Sequence, residues 1–95
     1  MRNYELGFVI HPEVEQSDVT QSVDRIGQYV SAGDGEVTSV DVWGRRSLAY
    51  PISKHKEGTY VFLHAQLDPQ AIQELERNLK LDEEILRYLL IRLEK

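Results

Sequence analysis

The chain contains no cysteine. That excludes a disulfide framework, a thiol nucleophile and a cysteine-ligated zinc site. Proline occurs three times, phenylalanine twice and tryptophan once in 95 residues. No apolar run approaches the roughly 18 residues that a membrane-crossing helix needs. The opening Met1-Arg2-Asn3-Tyr4-Glu5-Leu6 lacks the uninterrupted apolar stretch of a secretory signal, so a cytoplasmic protein is expected. A further absence is local. From Val42 to Lys56 there is no carboxylate, although the chain carries sixteen Asp and Glu and a net charge of −5.

That window holds Arg45, Arg46, Lys54 and Lys56, four of the eleven Lys and Arg residues. The rest of the chain is left with seven cations against sixteen anions. A basic segment bearing Trp43 and Tyr50 on an otherwise acidic protein points to a local surface for an anionic partner. The net charge excludes non-specific nucleic-acid binding over the whole surface and permits binding through one patch. With 41% hydrophobic and 28% charged residues, the composition is that of one small folded domain spanning 1–95.

Hydrophobic periodicity orders the elements. Tyr4, Leu6, Phe8 and Ile10 alternate as a strand with one face in a core. Val19, Val23, Ile26 and Val30 recur as the stripe of an amphipathic helix, with Ser17 as its expected N-cap and Gly33-Asp34-Gly35 as its stop. In that helix Asp18, Asp24 and Arg25 read as the wet side. A long second strand runs from Val37 to near Pro51, where proline suits an edge. Lys54 to Gly58 reads as a hairpin connection and Thr59 to Leu67 as a third strand. Asp68-Pro69 opens a second helix carrying Ala71, Ile72, Leu75 and Leu79. Ile85 to Leu93 reads as a last strand, near the middle of the sheet or at a protected edge.

The order β-α-β-β-α-β is that of an α+β, ferredoxin-like fold: a four-stranded antiparallel sheet with two helices on one face. The other face is left open. Period two sends Tyr60, Phe62, His64 and Gln66 to it. From the last strand, either Leu86, Tyr88 and Leu90 or Ile85, Leu89 and Ile91 join them. An open face this apolar marks a partner site, and Tyr60, Phe62 and His64 are its candidate contacts.

The run Gly44-Arg45-Arg46-Ser47-Leu48-Ala49-Tyr50-Pro51-Ile52-Ser53-Lys54, with the opening Met1-Arg2-Asn3-Tyr4-Glu5 and the spacing from Lys54 through Gly58 to the next aromatic, resembles the signature of the bacterial small-subunit ribosomal protein S6 family. The resemblance runs from end to end. It implies a non-enzymatic protein without cofactor that binds the central domain of small-subunit ribosomal RNA together with ribosomal protein S18, its heterodimer partner. Trp43 and Ser47 fall where family members vary and are read as scaffold.

On that reading the RNA-contact candidates are Arg2, Tyr4, Arg45, Arg46, Tyr50, Lys54, Lys56 and Arg87. Arginine presents a planar fork of donors to phosphate, and lysine a mobile point charge. Arg45 and Arg46 are adjacent on a strand and point to opposite sides. Tyr50 can stack on a base or bond a phosphate. Arg2 lies beside a strand end, and Arg87 matches a basic family position. The bland alternative for the cluster is a solvated edge strand guarded by positive residues.

A second reading is a single-strand RNA binder of the same topology that stacks bases on strand aromatics. Glu57 to His64 half-matches that pattern, and Tyr4 and Phe8 have core parity. A third is a small-molecule-sensing or oligomerising domain, which leaves the basic segment unexplained. His11, His55 and His64 have no metal-site spacing and read as isolated. Asp82-Glu83-Glu84 reads as a solvated turn. No nucleophile elbow, phosphate loop or zinc-protease motif occurs, so no catalytic reading stands.

Overall fold

The structure, a computed structural model, describes residues 1–52 and 55–93, with backbone alone over 49–52. Strand β1 (Arg2–Ile10) leads to helix α1 (Val19–Ala32), strands β2 (Glu36–Ile52) and β3 (His55–Leu67), helix α2 (Ile72–Leu81) and strand β4 (Ile85–Arg92). The sheet order is β2-β3-β1-β4, antiparallel throughout. This is the expected ferredoxin-like arrangement. Tyr4, Leu6, Phe8 and Ile10 of β1 meet Val61, Leu63, Ala65 and Leu67 of β3 in the core, beneath Ile26 and Val30 of α1 and Leu75 and Leu79 of α2.

Local chemistry explains the element ends. Asp68 accepts a hydrogen bond from the Gln70 N–H (2.9 Å) and Pro69 follows it, the expected start before α2. Ser17 does not cap α1. It lies inside a 3-10 turn over Gln16–Asp18, which moves the cap position to Asp18. The Gly33-Asp34-Gly35 stop holds, but Asp34 takes the left-handed backbone, at φ 63°. Gly35 is needed for space: a Cβ there would lie 2.8 Å from the Gln66 carbonyl oxygen and 2.7 Å from Leu67 Cδ2.

Two other expectations change, and one that was open is decided. β3 begins at His55, so residues 55–58 of the expected connection are strand, while Lys54 lies outside the described residues. Of the two places expected for β4, it takes the edge, beside β1. A register shift between Val9↔Arg87 and Ile10↔Ile85 leaves Leu86 as the extra residue and breaks the strand's parity. Ile85, Tyr88 and Leu90 therefore pack on the core while Arg87, Leu89 and Ile91 share the open face, and neither expected set survives intact.

The Asp82–Glu84 turn is not simply solvated. The Asp82 side chain is 4% exposed and receives Arg25 Nε at 2.7 Å and Nη2 at 3.0 Å, the Tyr29 hydroxyl at 2.8 Å and the Glu84 N–H at 3.0 Å. Glu84 receives Arg25 Nη2 and the Ser22 hydroxyl, both at 2.8 Å. Arg25, expected on the wet side, thus ties α1 to the turn between α2 and β4. Burial alone would raise the Asp82 pKa, but hydrogen bonds from Arg25 and Tyr29 outweigh it and hold the carboxyl below its ordinary value. Hydrogen bonds from Ser22 and Arg25 lower that of Glu84.

Candidate nucleic-acid and protein interface

The open face is built in cross-strand rows. Nearest the β2–β3 hairpin, Arg46 faces Gly58. Next come Gly44, Tyr60, Val9 and Arg87, then Asp41, Phe62, Gly7 and Leu89, then Ser39, His64, Glu5 and Ile91. Charge changes sign along these rows. Cations occupy the hairpin end, aromatic and aliphatic groups the middle, and carboxylates the middle and far end. His64 Nε2 lies 3.0 Å from Glu5 Oε2 in the last row.

The centre of the face depends on two glycines and a bulge. A Cβ on Gly7 would lie 2.7 Å from Phe62 Cε1, so only glycine lets that ring lie across β1. A shallow groove of about 310 Å³ results, lined by Gly7, Val9, Tyr60, Phe62, Arg87 and Leu89. On β2 the register shifts between Val42 and Gly44, and Gly44 takes φ 91°. This turns Trp43 onto the open face, 51% exposed, with its ring centroid 4.5 Å from that of Phe62 and its Nε1–H donating to Asp41 Oδ2 at 3.0 Å. Trp43, read from sequence as scaffold, lies on the open face beside Phe62. The signal was available: glycine inside a strand marks a bulge, and a bulge reverses parity.

Trp43 is the single tryptophan of the chain, which makes the Gly7 constraint measurable. Gly7→Ala displaces the Phe62 ring, shifts the tryptophan emission and costs about 1 kcal/mol in a urea melt. Unchanged emission would mean that the ring packing does not depend on Gly7.

The remaining candidates separate. Arg46 and Lys56 are exposed, and Lys56 shares the strand parity of Tyr60 and Phe62. Arg87 lies on the open face opposite Val9. Arg45 points the other way, as adjacency requires: its Nη2 donates to the Pro12 carbonyl at 2.8 Å and its Nη1 lies 3.7 Å from Glu57 Oε1. Arg2 pairs with Leu67 at the opposite end of β1, about 27 Å from Ile10 at ~3.4 Å per residue, so it does not join the hairpin cations. Tyr4 is 7% exposed, with its ring in the hydrophobic core as its strand parity implied. The Tyr50 side chain and Lys54 lie outside the described residues.

None of the three histidines is isolated: His64 meets Glu5, and the other two meet each other. The rings of His11 and His55 meet edge to face, with centroids 4.1 Å apart, and His11 Nδ1 accepts the Glu13 N–H at 3.1 Å. Among the described residues no cluster of three or more His, Asp or Glu could hold a metal ion, and no helix is long and apolar enough to cross a membrane.

Comparison with known proteins agrees with this geometry. The family model for ribosomal protein S6 matches residues 3–92. The small ribosomal subunit protein bS6 of Moorella thermoacetica is 43% identical over 95 residues, covering 100% of this chain and 97% of that protein. Its counterpart in Clostridium acetobutylicum is 39% identical over 95 residues, covering both chains fully (100%). The crystal structure of the 30S ribosomal protein S6 from Thermotoga maritima superposes with a TM-score of 0.90 at 32% identity, over 97% of this chain and 87% of that one. With a matching family model, relatives aligned end to end and the element order that its periodicity implied, the chain belongs to the ribosomal protein S6 family, a family of structural and non-enzymatic proteins.

Proposed function

We propose that this chain is a structural component of the bacterial small ribosomal subunit that binds the central domain of small-subunit ribosomal RNA together with ribosomal protein S18. The β2–β3 arm, carrying Arg45, Arg46, Lys56 and, outside the described side chains, Tyr50 and Lys54, is its RNA grip, with Arg87 beside it. Arg2, at the far end of β1, is a separate contact. The sheet face of Tyr60, Phe62 and His64, with Trp43, receives the protein partner.

The observation that carries this reading is the separation of charge along the open face. Cations gather at the hairpin end, where phosphate contacts supply affinity and orientation. On this face the carboxylates, Asp41 and Glu5, lie in the rows away from it, and Glu57 of the arm is on the opposite side, so a net charge of −5 need not repel the RNA from that end. RNA shape and the partner then supply specificity.

A titration of a central-domain RNA fragment tests it. The chain alone binds weakly, because its overall charge opposes the approach of RNA, and adding S18 raises the affinity. Equal affinity with and without S18 would remove the partner from the proposal.

The half-buried rings of Tyr60 and Phe62 favour the single-strand RNA reading to a degree, since they sit on the open face where bases could stack. Against it, Trp43 already packs on Phe62, and Tyr4 and Phe8 are buried. Tyr60→Ala with Phe62→Ala separates the two: reduced RNA affinity with partner binding intact selects base stacking, and reduced partner binding selects the protein interface.

A further inference from the structure

We infer that Arg45 is a positioning residue: with Pro12 and His11 it forms a latch that holds the β2–β3 arm against the body, so that Arg46 and Lys56 meet RNA backbone in a fixed orientation. This rests on the proposal that the arm grips RNA.

The need for a latch follows from the topology. The last β1–β3 pair is Ile10↔Thr59. Beyond it β2 and β3 continue through Arg46↔Gly58, Ser47↔Glu57 and Ile52↔His55 with β1 already ended. A two-stranded ribbon is marginally stable by itself. A mobile arm would have to be ordered on binding, which lowers affinity.

Two contacts tie the arm to the body, one from Arg45 at its base and one from His55 in its last pair. One is the bond from Arg45 Nη2 to the Pro12 carbonyl at 2.8 Å. The other is the edge contact of His55 with His11. The loop that receives them is itself anchored. The His11 N–H donates to the Glu84 carbonyl at 2.7 Å, the Val14 N–H to the His11 carbonyl at 3.1 Å, and the Glu13 N–H to His11 Nδ1 at 3.1 Å. The arm is therefore fastened through main-chain bonds to the turn before β4.

The same geometry separates the two arginines. Arg45 directs its guanidinium toward the loop and has Glu57 at 3.7 Å. Gripping a phosphate would require it to leave the carbonyl and bring an anion toward a carboxylate. Arg46, on the opposite side of the strand, faces the open surface beside Gly58.

Two measurements on Arg45→Ala, Arg45→Lys and Arg46→Ala test the latch, with thermal melts establishing that each variant is folded. The first is backbone amide relaxation of the free protein. Arg45→Ala loosens residues 45–48 and 55–58 and leaves the remaining sheet unchanged, whereas general destabilisation would spread through all four strands. Arg46→Ala leaves the arm ordered. Arg45→Lys restores order, because its ammonium can reach the same carbonyl.

The second is RNA affinity against salt. Arg45→Ala binds about three- to tenfold more weakly with an unchanged salt slope, and Arg46→Ala lowers the slope by about 1. An Arg45→Ala slope lowered by about 1, or an arm as ordered as the parent's, would overturn the inference. An unchanged slope for Arg46→Ala would instead remove the arm from the RNA interface and the positioning role with it. The relaxation data would still decide whether the latch exists.

Discussion

Asp82→Asn unfolds about 3 kcal/mol more readily than the parent chain in a urea titration at neutral pH. The figure is the lower end of what breaking a buried ion pair costs, because Arg25 is 34% exposed and water can solvate its freed guanidinium in part. Asparagine keeps the shape of the aspartate but not its charge. It leaves Arg25 with Glu84 alone and gives Tyr29 a neutral acceptor. The loss falls where α1 meets the turn after α2, a seam closed mainly by this network.

The pH dependence of that difference has a definite sign. Both carboxyls have pKa values depressed by folding, so their stabilisation is fully present above the ordinary carboxylate value of about 4 and is lost as pH falls through the depressed values. Parent and Asp82→Asn therefore converge in stability on acidification below about pH 4. A constant gap down to pH 2 would show that the network contributes through packing and not through charge.

Arg46→Ala combined with Lys56→Ala weakens binding to central-domain RNA by about a hundredfold at physiological salt, since each substitution removes a charge-assisted hydrogen bond worth roughly 1.5 kcal/mol. Neither residue is in the core, and both are exposed on the arm, so circular dichroism and the melting temperature stay close to those of the parent. The salt slope falls by about 2, one for each phosphate that is no longer neutralised. Parent-like affinity in a folded double variant would place the RNA grip elsewhere, Arg2 and Arg87 being the next candidates. The effect should be uniform across RNA sequence variants, since phosphate contacts position the protein and carry no base information.

How much of this was legible in advance depends on how local the cause is. The run of Tyr4, Leu6, Phe8 and Ile10, the stripe of Val19, Ile26 and Val30, and the Asp68-Pro69 start each depend on neighbours two to four residues away, so periodicity and capping chemistry reveal them. The open-face placement of Tyr60, Phe62 and His64 followed from the same alternation. Errors arose where one residue interrupted that count. The extra residue at Leu86 split the parity of β4, and the bulge at Trp43 turned that ring onto the open face. Tyr4 was placed on the core face correctly, but its depth there depends on the helices above it.

The amino-acid sequence by itself determined the element order, the core faces, the carboxylate-free basic segment and the family signature within it, because these are properties of spacing and residue type along one chain. Only the tertiary structure decided which cations share a surface. It separated Arg2 from the arm by the length of β1, turned Arg45 toward Pro12 while Arg46 faces outward, and converted the Asp82 turn into the anchor of α1. Each of these joins residues far apart in the chain, Arg25 to Asp82 and Arg45 to Pro12 among them. Such pairings follow from sheet register and helix placement, which no local periodicity encodes.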